Sequence, residues 1–290
     1  MRVVVLGAAA GGGVPQWNCN CDICRAARGA QPELRSTQAS IAVSADNAHW
    51  FLVNASPDLR QQLLATPQLH PQAGYLRHSP IAGVILTNGE VDAVAGLLSL
   101  REGWPFTIYA HQRVLSILKS NSIFNVLDKK RVPRVPIQLG AAFEPRLPDG
   151  SSSGLEILPF TAPGKPAWYL EGTTHPEGRD DEPGDTLGLR IADKESGEHL
   201  YFLAACAALT PDLRQRLQGA PLIFFDGTLW SNDEMIVAGL GAKTGQRMGH
   251  MSMSGERGAM AALADLGIAR KIFLHINNSN PPMHFFGRSA

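Results

Sequence analysis

Three of the four cysteines fall within six residues, Cys19-Asn20-Cys21-Asp22-Ile23-Cys24, directly after a glycine-rich stretch. Few patterns restrict a fold so tightly, because thiols that close hold one ion, bond to each other, serve redox chemistry or sit idle. The spacing places three soft donors around a single ion, and a distant histidine would complete the tetrahedron that a structural zinc site needs. Cys-x-Cys leaves little room for unstrained disulfide geometry, which disfavours a bond inside the cluster. Cys206 lies in the apolar segment Tyr201 to Leu209 and reads as a small buried residue. The trio therefore predicts a metal and leaves the chemistry open.

The body around such a site has ample material. With 290 residues, 44% hydrophobic and 18% charged, the chain suits one large domain or two ordinary ones. The 26 Lys+Arg balance the 26 Asp+Glu, so nothing electrostatic argues for nucleic acid or an anionic membrane. No apolar run approaches the length that spans a bilayer. Met1 to Gly13 imitates a signal peptide, but the apolar part is short and no cleavage site follows. A buried strand, Arg2 to Leu6, leading into a tight glycine loop is expected instead. With reduced thiols, that predicts a cytoplasmic protein. The glycines do not form G-x-G-x-x-G, and Pro15 and the cysteines stand where a dinucleotide-binding helix should begin.

Further along, Ser40 to Ser44 and His49 to Val53 read as a hairpin, and Ser56-Pro57-Asp58 as a helix start capped by Ser56. Ile81 to Leu86 is a buried strand, followed by helical spacing from Val94 to Arg101. Pro105 to Tyr109 reads as a strand and His111 to Leu127 as a helix. Val132 to Gly184 is irregular, with strand-like pieces at Leu155 to Phe160 and Trp168 to Leu170, and a polar loop from Thr173 to Asp185. Thr186 to Ile191 and Leu200 to Leu203 make a second hairpin. A helix holds Leu213 to Leu217, strands run Leu222 to Phe225 and Lys271 to His275, and a last helix Gly255 to Leu266 lies between them. Hairpins followed by strands with helices between them, twice over, predict an α/β protein of two mixed β-sheets with helices on the outer faces. No linker divides the chain, so residues 1–290 are expected to form a single domain.

Polar residues collect just past strand ends. Asn88, Glu90 and Asp92 alternate, and an extended loop would point all three to one side. Asp226 follows one apolar strand, His275 another, and His250 precedes a helix. Carboxylates and imidazoles at strand ends are metal-ligand or acid/base material. Blander readings stand beside these: Asp92 as a helix cap, Glu90 as a solvated acid, Asp226 as organiser of its own Asp-Gly turn, and His275 as a satisfied core histidine or a zinc ligand. Spacing alone gives a second candidate site and no reaction.

A set of blocks in order adds to this reading: Gly11-Gly12-Gly13-Val14-Pro15-Gln16-Trp17-Asn18-Cys19-Asn20-Cys21, Asn54-Ala55-Ser56-Pro57-Asp58, Gly96-Leu97-Leu98-Ser99-Leu100-Arg101-Glu102, Phe225-Asp226-Gly227-Thr228, Met248-Gly249-His250 and His275-Ile276-Asn277-Asn278. Together they resemble the PqqB family of pyrroloquinoline quinone (PQQ) biosynthesis proteins, in the metallo-β-lactamase superfamily. The resemblance spans Met1 to about Pro281 and implies an αβ/βα sandwich at work in cytoplasmic PQQ assembly.

The superfamily's metal motif, His-x-His-x-Asp-His, falls on Asn88 to Ala93, where Asp92 alone matches. Asn54 stands in place of an early acidic residue, and Ala205 in place of the aspartate that bridges two zincs. A dinuclear hydrolase needs those ligands, so the resemblance disfavours hydrolysis. It implies a second metal held by Asp92 and His275, with His250, Asp226 and Glu90 as further catalytic candidates. One carboxylate and two imidazoles resemble a mononuclear non-haem iron site. The family reading is then Fe(II)- and O2-dependent hydroxylation of the tyrosine ring in a Glu-Tyr-derived precursor, with Cys19, Cys21 and Cys24 holding a separate structural zinc. Other PQQ biosynthesis proteins are the implied partners. Two readings remain beside it: a non-catalytic carrier of PQQ or its precursor toward the periplasm, and a zinc-dependent hydrolase. The segment Pro282 to Ala290 departs from the family pattern, and His284 is a candidate substitute ligand there.

Overall fold

The computed structural model describes residues 1–171 and 183–285. The chain is α/β, with two mixed sheets. The first holds β1 (Arg2–Gly7), β2 (Ser40–Ser44), β3 (Trp50–Val53), β4 (Ile81–Leu86), β5 (Thr107–His111) and β6 (Arg134–Ile137), in that spatial order. Strands β2 and β3 pair antiparallel, while β3 to β6 run parallel. The second has the order β11-β10-β9-β8-β7, with β7 (Leu155–Thr161), β8 (Leu187–Asp193), β9 (His199–Leu203), β10 (Leu222–Asp226) and β11 (Arg270–Leu274). Strands β7 and β8 pair antiparallel, whereas β9, β10 and β11 run parallel.

The contacts divide the chain into two compact units. One comprises Met1–Leu6, Ser40–Thr161 and Pro166–Leu200; the other comprises Gly7–Ala39, Ala162–Lys165 and the chain from Tyr201 on. The core of the first is built on the continuous apolar runs of its parallel strands: Trp50, Leu52, Val84, Leu86 and Ile108 are all essentially inaccessible. Strands hemmed in on both sides have no polar face to show, which is why these runs do not alternate.

Among the described residues seven short α-helices accompany the sheets: α1 (Asp22–Arg28), α2 (Leu59–Ala65), α3 (Val91–Val94), α4 (Gln112–Ser120), α5 (Pro211–Leu217), α6 (Glu234–Val237) and α7 (Ala259–Ala262). Helix α5 begins as its sequence dictates, with the Thr210 hydroxyl accepting from the Leu213 N–H and Pro211 in the first turn. Helix α2 does not. It starts at Leu59, and the Ser56 hydroxyl donates to the Gln62 side chain instead of capping.

Other expectations are corrected by local geometry. Strand β1 is not buried throughout; it ends the sheet order, and Val5 is 43% exposed. The run from Asn88 to Asp92 is not extended, because the Asn88 side chain accepts the Glu90 N–H at 3.0 Å and turns the chain into α3. The helical spacing from Val94 to Arg101 is realised as a 3₁₀ segment, Ala95–Leu100, and the His111 to Leu127 helix stops at Ser120 before a further 3₁₀ stretch. Trp168–Leu170 forms a 3₁₀ turn rather than a strand. The expected last helix shrinks to the four residues of α7. Most of the Thr173 to Asp185 loop lies outside the described residues, as does the His284 side chain. No helix among the described residues is long and apolar enough to cross a membrane.

Candidate metal centres

Both clusters of potential ligands found among the described residues lie in the second unit. The first is the cysteine trio. Cys21 occupies the N-cap position of α1, and its side chain caps nothing in the helix. Ile23 and Ala27 anchor α1 in a small apolar core with Ala9, Val14, Leu34 and Ile276, which leaves Cys24 fully buried. Arg28 ties the preceding loop to the helix by donating to the carbonyls of Cys19 at 2.6 Å and Gln16 at 2.5 Å. The three Sγ atoms lie within 4.8 Å of one another, and all are free thiols. Among the described residues no histidine joins them; beside the trio stands the Asn278 side chain, whose amide lies 3.0 Å from Cys19 Sγ, 3.5 Å from Cys21 Sγ and 3.2 Å from Cys24 Sγ. Burial pushes the Cys24 thiol up to about 11. At Cys19, burial is outweighed by hydrogen bonds from Cys21, Cys24 and Asn278, and the thiol falls below its ordinary range.

The second cluster arises from strand register. Because β10 and β11 run parallel with Asp226 opposite Leu274, Asp226 and the next residue, His275, emerge at the same sheet end. Phe225 pairs with Leu203, which brings the chain after β9 to the same end. Parallel strands thus deliver polar groups to the crevice at their carboxyl ends. His275 turns out of the strand with φ 59°, a left-handed conformation rare for a non-glycine residue. Gly227 is required between β10 and the turn, since a Cβ there would meet the Phe273 Cβ at 2.9 Å and the Leu274 carbonyl at 3.1 Å.

Asp226 is completely buried and fully engaged. Its Oδ2 accepts the Cys206 N–H at 2.8 Å and faces His250 Nδ1 at 2.7 Å; its Oδ1 accepts the Thr228 N–H at 3.0 Å and the Thr228 hydroxyl at 2.7 Å. Burial alone would raise this carboxyl, but the charge and hydrogen bond of His250, then His275 and Thr228, hold it below the ordinary carboxylate range. Thr228 Oγ1 also lies 2.7 Å from His275 Nδ1. The proton count then places a hydrogen on Nδ1 of both rings. The Thr228 hydroxyl spends its one hydrogen on Asp226, so His275 donates Nδ1–H to Thr228, and His250 donates Nδ1–H to Asp226. The rings stack with centroids 5.1 Å apart and an interplanar angle of 22°.

His250 lines a cleft of about 670 Å³ together with Asn232, Gln246, Ser252, Glu256 and Arg257. With Nδ1 tied back to Asp226, Nε2 is the nitrogen left for whatever enters. Size and lining suit a small polar molecule, with Arg257 available to a carboxylate.

A Beta-lactamase superfamily domain is matched over residues 49–276. The chain is 69% identical to the coenzyme PQQ synthesis protein B of Rhodopseudomonas palustris (strain ATCC BAA-98 / CGA009) over 283 residues, covering 98% of this chain and 91% of that protein. The chain belongs to the coenzyme PQQ synthesis protein B family. The relative from Gluconacetobacter diazotrophicus is 58% identical, with 96% and 90% covered. A zinc-bound PqqB structure from Methylobacterium extorquens superposes with a TM-score of 0.91 at 47% identity, covering 100% of this chain and 93% of that one. The fold is accordingly the metallo-β-lactamase fold of the PqqB family, as the resemblance implied.

Within this PqqB-family framework, Asp226, His250 and His275 come together, whereas Glu90 and Asp92 belong to the other unit and are members of neither cluster. Glu90 accepts the Trp168 N–H at 3.0 Å, and Asp92 sits half-buried in the first turn of α3. Ala93 is buried, its carbonyl accepting the Ala55 N–H at 2.7 Å. Asn54, with φ 64°, clamps the Thr87 N–H and hydroxyl through its amide, both at 2.9 Å. Two participants escape a reading by residue type: Thr228, visible only as part of an Asp-Gly-Thr turn, and Asn278, which no ligand inventory of cysteine, histidine and acid would select.

Proposed function

We propose that this chain acts in the cytoplasm in pyrroloquinoline quinone biosynthesis, hydroxylating the tyrosine ring of a Glu-Tyr-derived precursor with Fe(II) and O2. One observation carries the reading: two imidazoles are fixed from behind at Nδ1 by Asp226 and Thr228, and one of them, His250, lines a cleft of small-molecule size. The two donor sets suit different ions. Three thiolates favour zinc, and the name of the zinc-bound relative agrees with a zinc-binding family. Imidazoles backed by a carboxylate with open positions suit Fe(II). His250 and His275 would hold the iron. Asp226, whose oxygens are already taken, orients His250, as carboxylates behind ligating histidines do.

A bound Fe(II) would supply dioxygen activation at its open positions, with the net electrons drawn from a reductant. The residues do the rest. Asp226 holds the Nδ1 proton on His250 and Thr228 holds it on His275, which orients both rings and makes Nε2 the nitrogen that would meet a metal. Arg257 pairs with a precursor carboxylate and aims the ring along the cleft toward His250. Ring hydroxylation leaves one oxygen atom of O2 in the product and the other in water, so an external two-electron reductant completes the balance.

The test is anaerobic Fe(II) loading and elemental analysis of wild type, His250→Ala, His275→Ala and Asp92→Ala, followed by O2 uptake with precursor and reductant. Zinc plus iron in the wild type, iron loss in both histidine variants and oxygenated product are expected. The Asp92 variant decides whether the residue carried over from the superfamily motif takes part. Failure of iron to load, or equal loading in the histidine variants, overturns the reading. Tight metal-independent binding of PQQ or its precursor would then favour the carrier reading, which buried Ala93 at a motif position already supports.

A further inference from the structure

We propose that Asn278 is the fourth ligand of the thiolate site, closing the tetrahedron through its side-chain amide oxygen. The proposal rests on the reading of Cys19, Cys21 and Cys24 as a metal site, and it names the residue that reading lacks.

Three observations point to it. First, one amide atom of Asn278 faces all three sulfurs, at 3.0, 3.5 and 3.2 Å. An NH2 group has two hydrogens and serves two acceptors well, not three. Approach to all three sulfurs at once is what a fourth vertex does. A tetrahedron with metal–sulfur bonds of about 2.3 Å and a metal–oxygen bond of about 2.1 Å has sulfur–oxygen edges of about 3.6 Å. The separations fall somewhat inside that figure, as expected of a set with no ion to hold it apart. Second, Asn278 is buried, at 4% exposure, so its amide has little recourse to water. The two ends of an Asn amide are assigned from their partners. Facing three thiols the nitrogen end is favoured, and facing a cation the oxygen end is. Turning the amide over costs one side-chain rotation and converts a donor into a ligand. Third, no histidine or acid joins the trio among the described residues.

Its position also explains why such a ligand sits far along the chain. Asn278 belongs to the loop after β11 that begins with His275. The Asn277 N–H donates to the Thr228 carbonyl at 3.0 Å, and the Asn280 amide donates to the Gly227 carbonyl at 2.8 Å. On the other side, the N–H groups of Ala10 and Ile276 donate to the carbonyls of Ile276 and Ala8 at 2.9 and 2.8 Å. A metal bond at Asn278 would be the third fastening of this loop and the one that joins it to α1.

The experiment is zinc affinity by chelator competition, plus the visible spectrum of the Co(II)-substituted protein, for wild type, Asn278→Ala, Asn278→Asp and Cys21→Ser. Thermal melts confirm that each is folded. If the amide oxygen is a ligand, Asn278→Ala weakens zinc by more than about 10–100-fold, the loss typical of a merely supporting partner. Asn278→Asp, which keeps the oxygen, restores affinity and the tetrahedral cobalt spectrum. If Asn278 only donates N–H to the thiolates, Asn278→Asp binds worse than Asn278→Ala, because it sets a carboxylate against them, and the proposal falls. Unchanged affinity in both variants assigns the fourth position to water and also overturns it. A wild type that binds no zinc or cobalt defeats the metal reading itself, a result distinct from either.

Discussion

The thiolate cluster takes its three sulfurs from six consecutive residues, whereas the imidazole cluster gathers Asp226, Thr228, His250 and His275 from two strand ends and a loop. The first is held by one short helix on a small apolar core, the second by the register of three parallel strands. The contrast has an energetic side. Thiols brought close by a local turn need an ion to justify the crowding, so binding energy becomes folding energy. The buried carboxylate of the second cluster is already satisfied by four hydrogen bonds, so that site is preorganised without any ion. A local site of this kind would lean on its metal, and a distributed site leans on the sheet.

The most forceful way to break this comparison is to remove the first metal. Cys21→Ser, or a strong chelator, should lower zinc content and cost several kcal/mol of stability, since loss of a structural metal ranks among the most destabilising single changes. Zinc analysis and thermal melts check it, and a variant with full zinc would remove the contrast. Iron loading at the histidines should change less than the melting temperature does.

Next comes Asp226→Ala, which strips the centre of the distributed site. Losing one partner from a buried charged pair costs about 3–5 kcal/mol, with no dependence on zinc, measurable by urea unfolding. The pH dependence has a definite sign. The Asp226 carboxyl is more acidic folded than unfolded, so its contribution is complete above the unfolded value of about 3.9 and is lost as pH falls through the lower folded value. The stability gap between wild type and Asp226→Asn should therefore narrow only below about pH 4. A gap that closes nearer neutrality would mean the histidines, not the acid, dominate.

Thr228→Val is a finer probe. It keeps the shape but leaves Asp226 Oδ1 and His275 Nδ1 each short of a partner, at about 1–3 kcal/mol. By releasing the His275 tautomer it should also weaken metal at the second cluster about 10–100-fold. Zinc at the thiolates should not move.

The smallest effect concerns Cys206, the thiol outside the trio. Burial, then the neighbouring Asp226 charge, push it up to about 12, and its Sγ donates to the Ala208 carbonyl at 3.2 Å. In zinc-free folded protein, a disulfide reagent at mild pH should label trio thiols and spare Cys206 until the chain unfolds. Early labelling of Cys206 would show that the end of β9 opens easily.

How much of this the chain announces follows the same local-versus-distributed divide. The trio is legible because its members are neighbours, and strands β4 and β10 because apolar runs are unmistakable. What a run does not disclose is its partner, so nothing at the level of residues 222–226 and 270–274 says that they lie side by side in parallel. Asp226, His250 and His275 could be nominated one at a time, but only register shows that they meet. Strand β6 goes unseen because Pro133 and Pro136 argue against a strand, yet β6 ends its sheet order, where proline is tolerated. Trp168–Leu170 misleads in the other direction, its aromatic content suggesting a strand where the Tyr169 hydroxyl donates to the Gly89 carbonyl at 2.5 Å within a 3₁₀ turn.

Two of the four hydrogen bonds on Asp226 come from main-chain N–H groups, those of Cys206 and Thr228. A donor of that kind is written into the path of the chain and not into the identity of a residue, so point mutation cannot delete it short of introducing proline. Position 206 is consequently free to drift among small side chains without silencing the carboxylate, while His250 is not. In a lineage accumulating substitutions, the anchor of this site would outlast the residues it was built to serve, and a buried aspartate after an apolar strand could persist as a relic of lost chemistry.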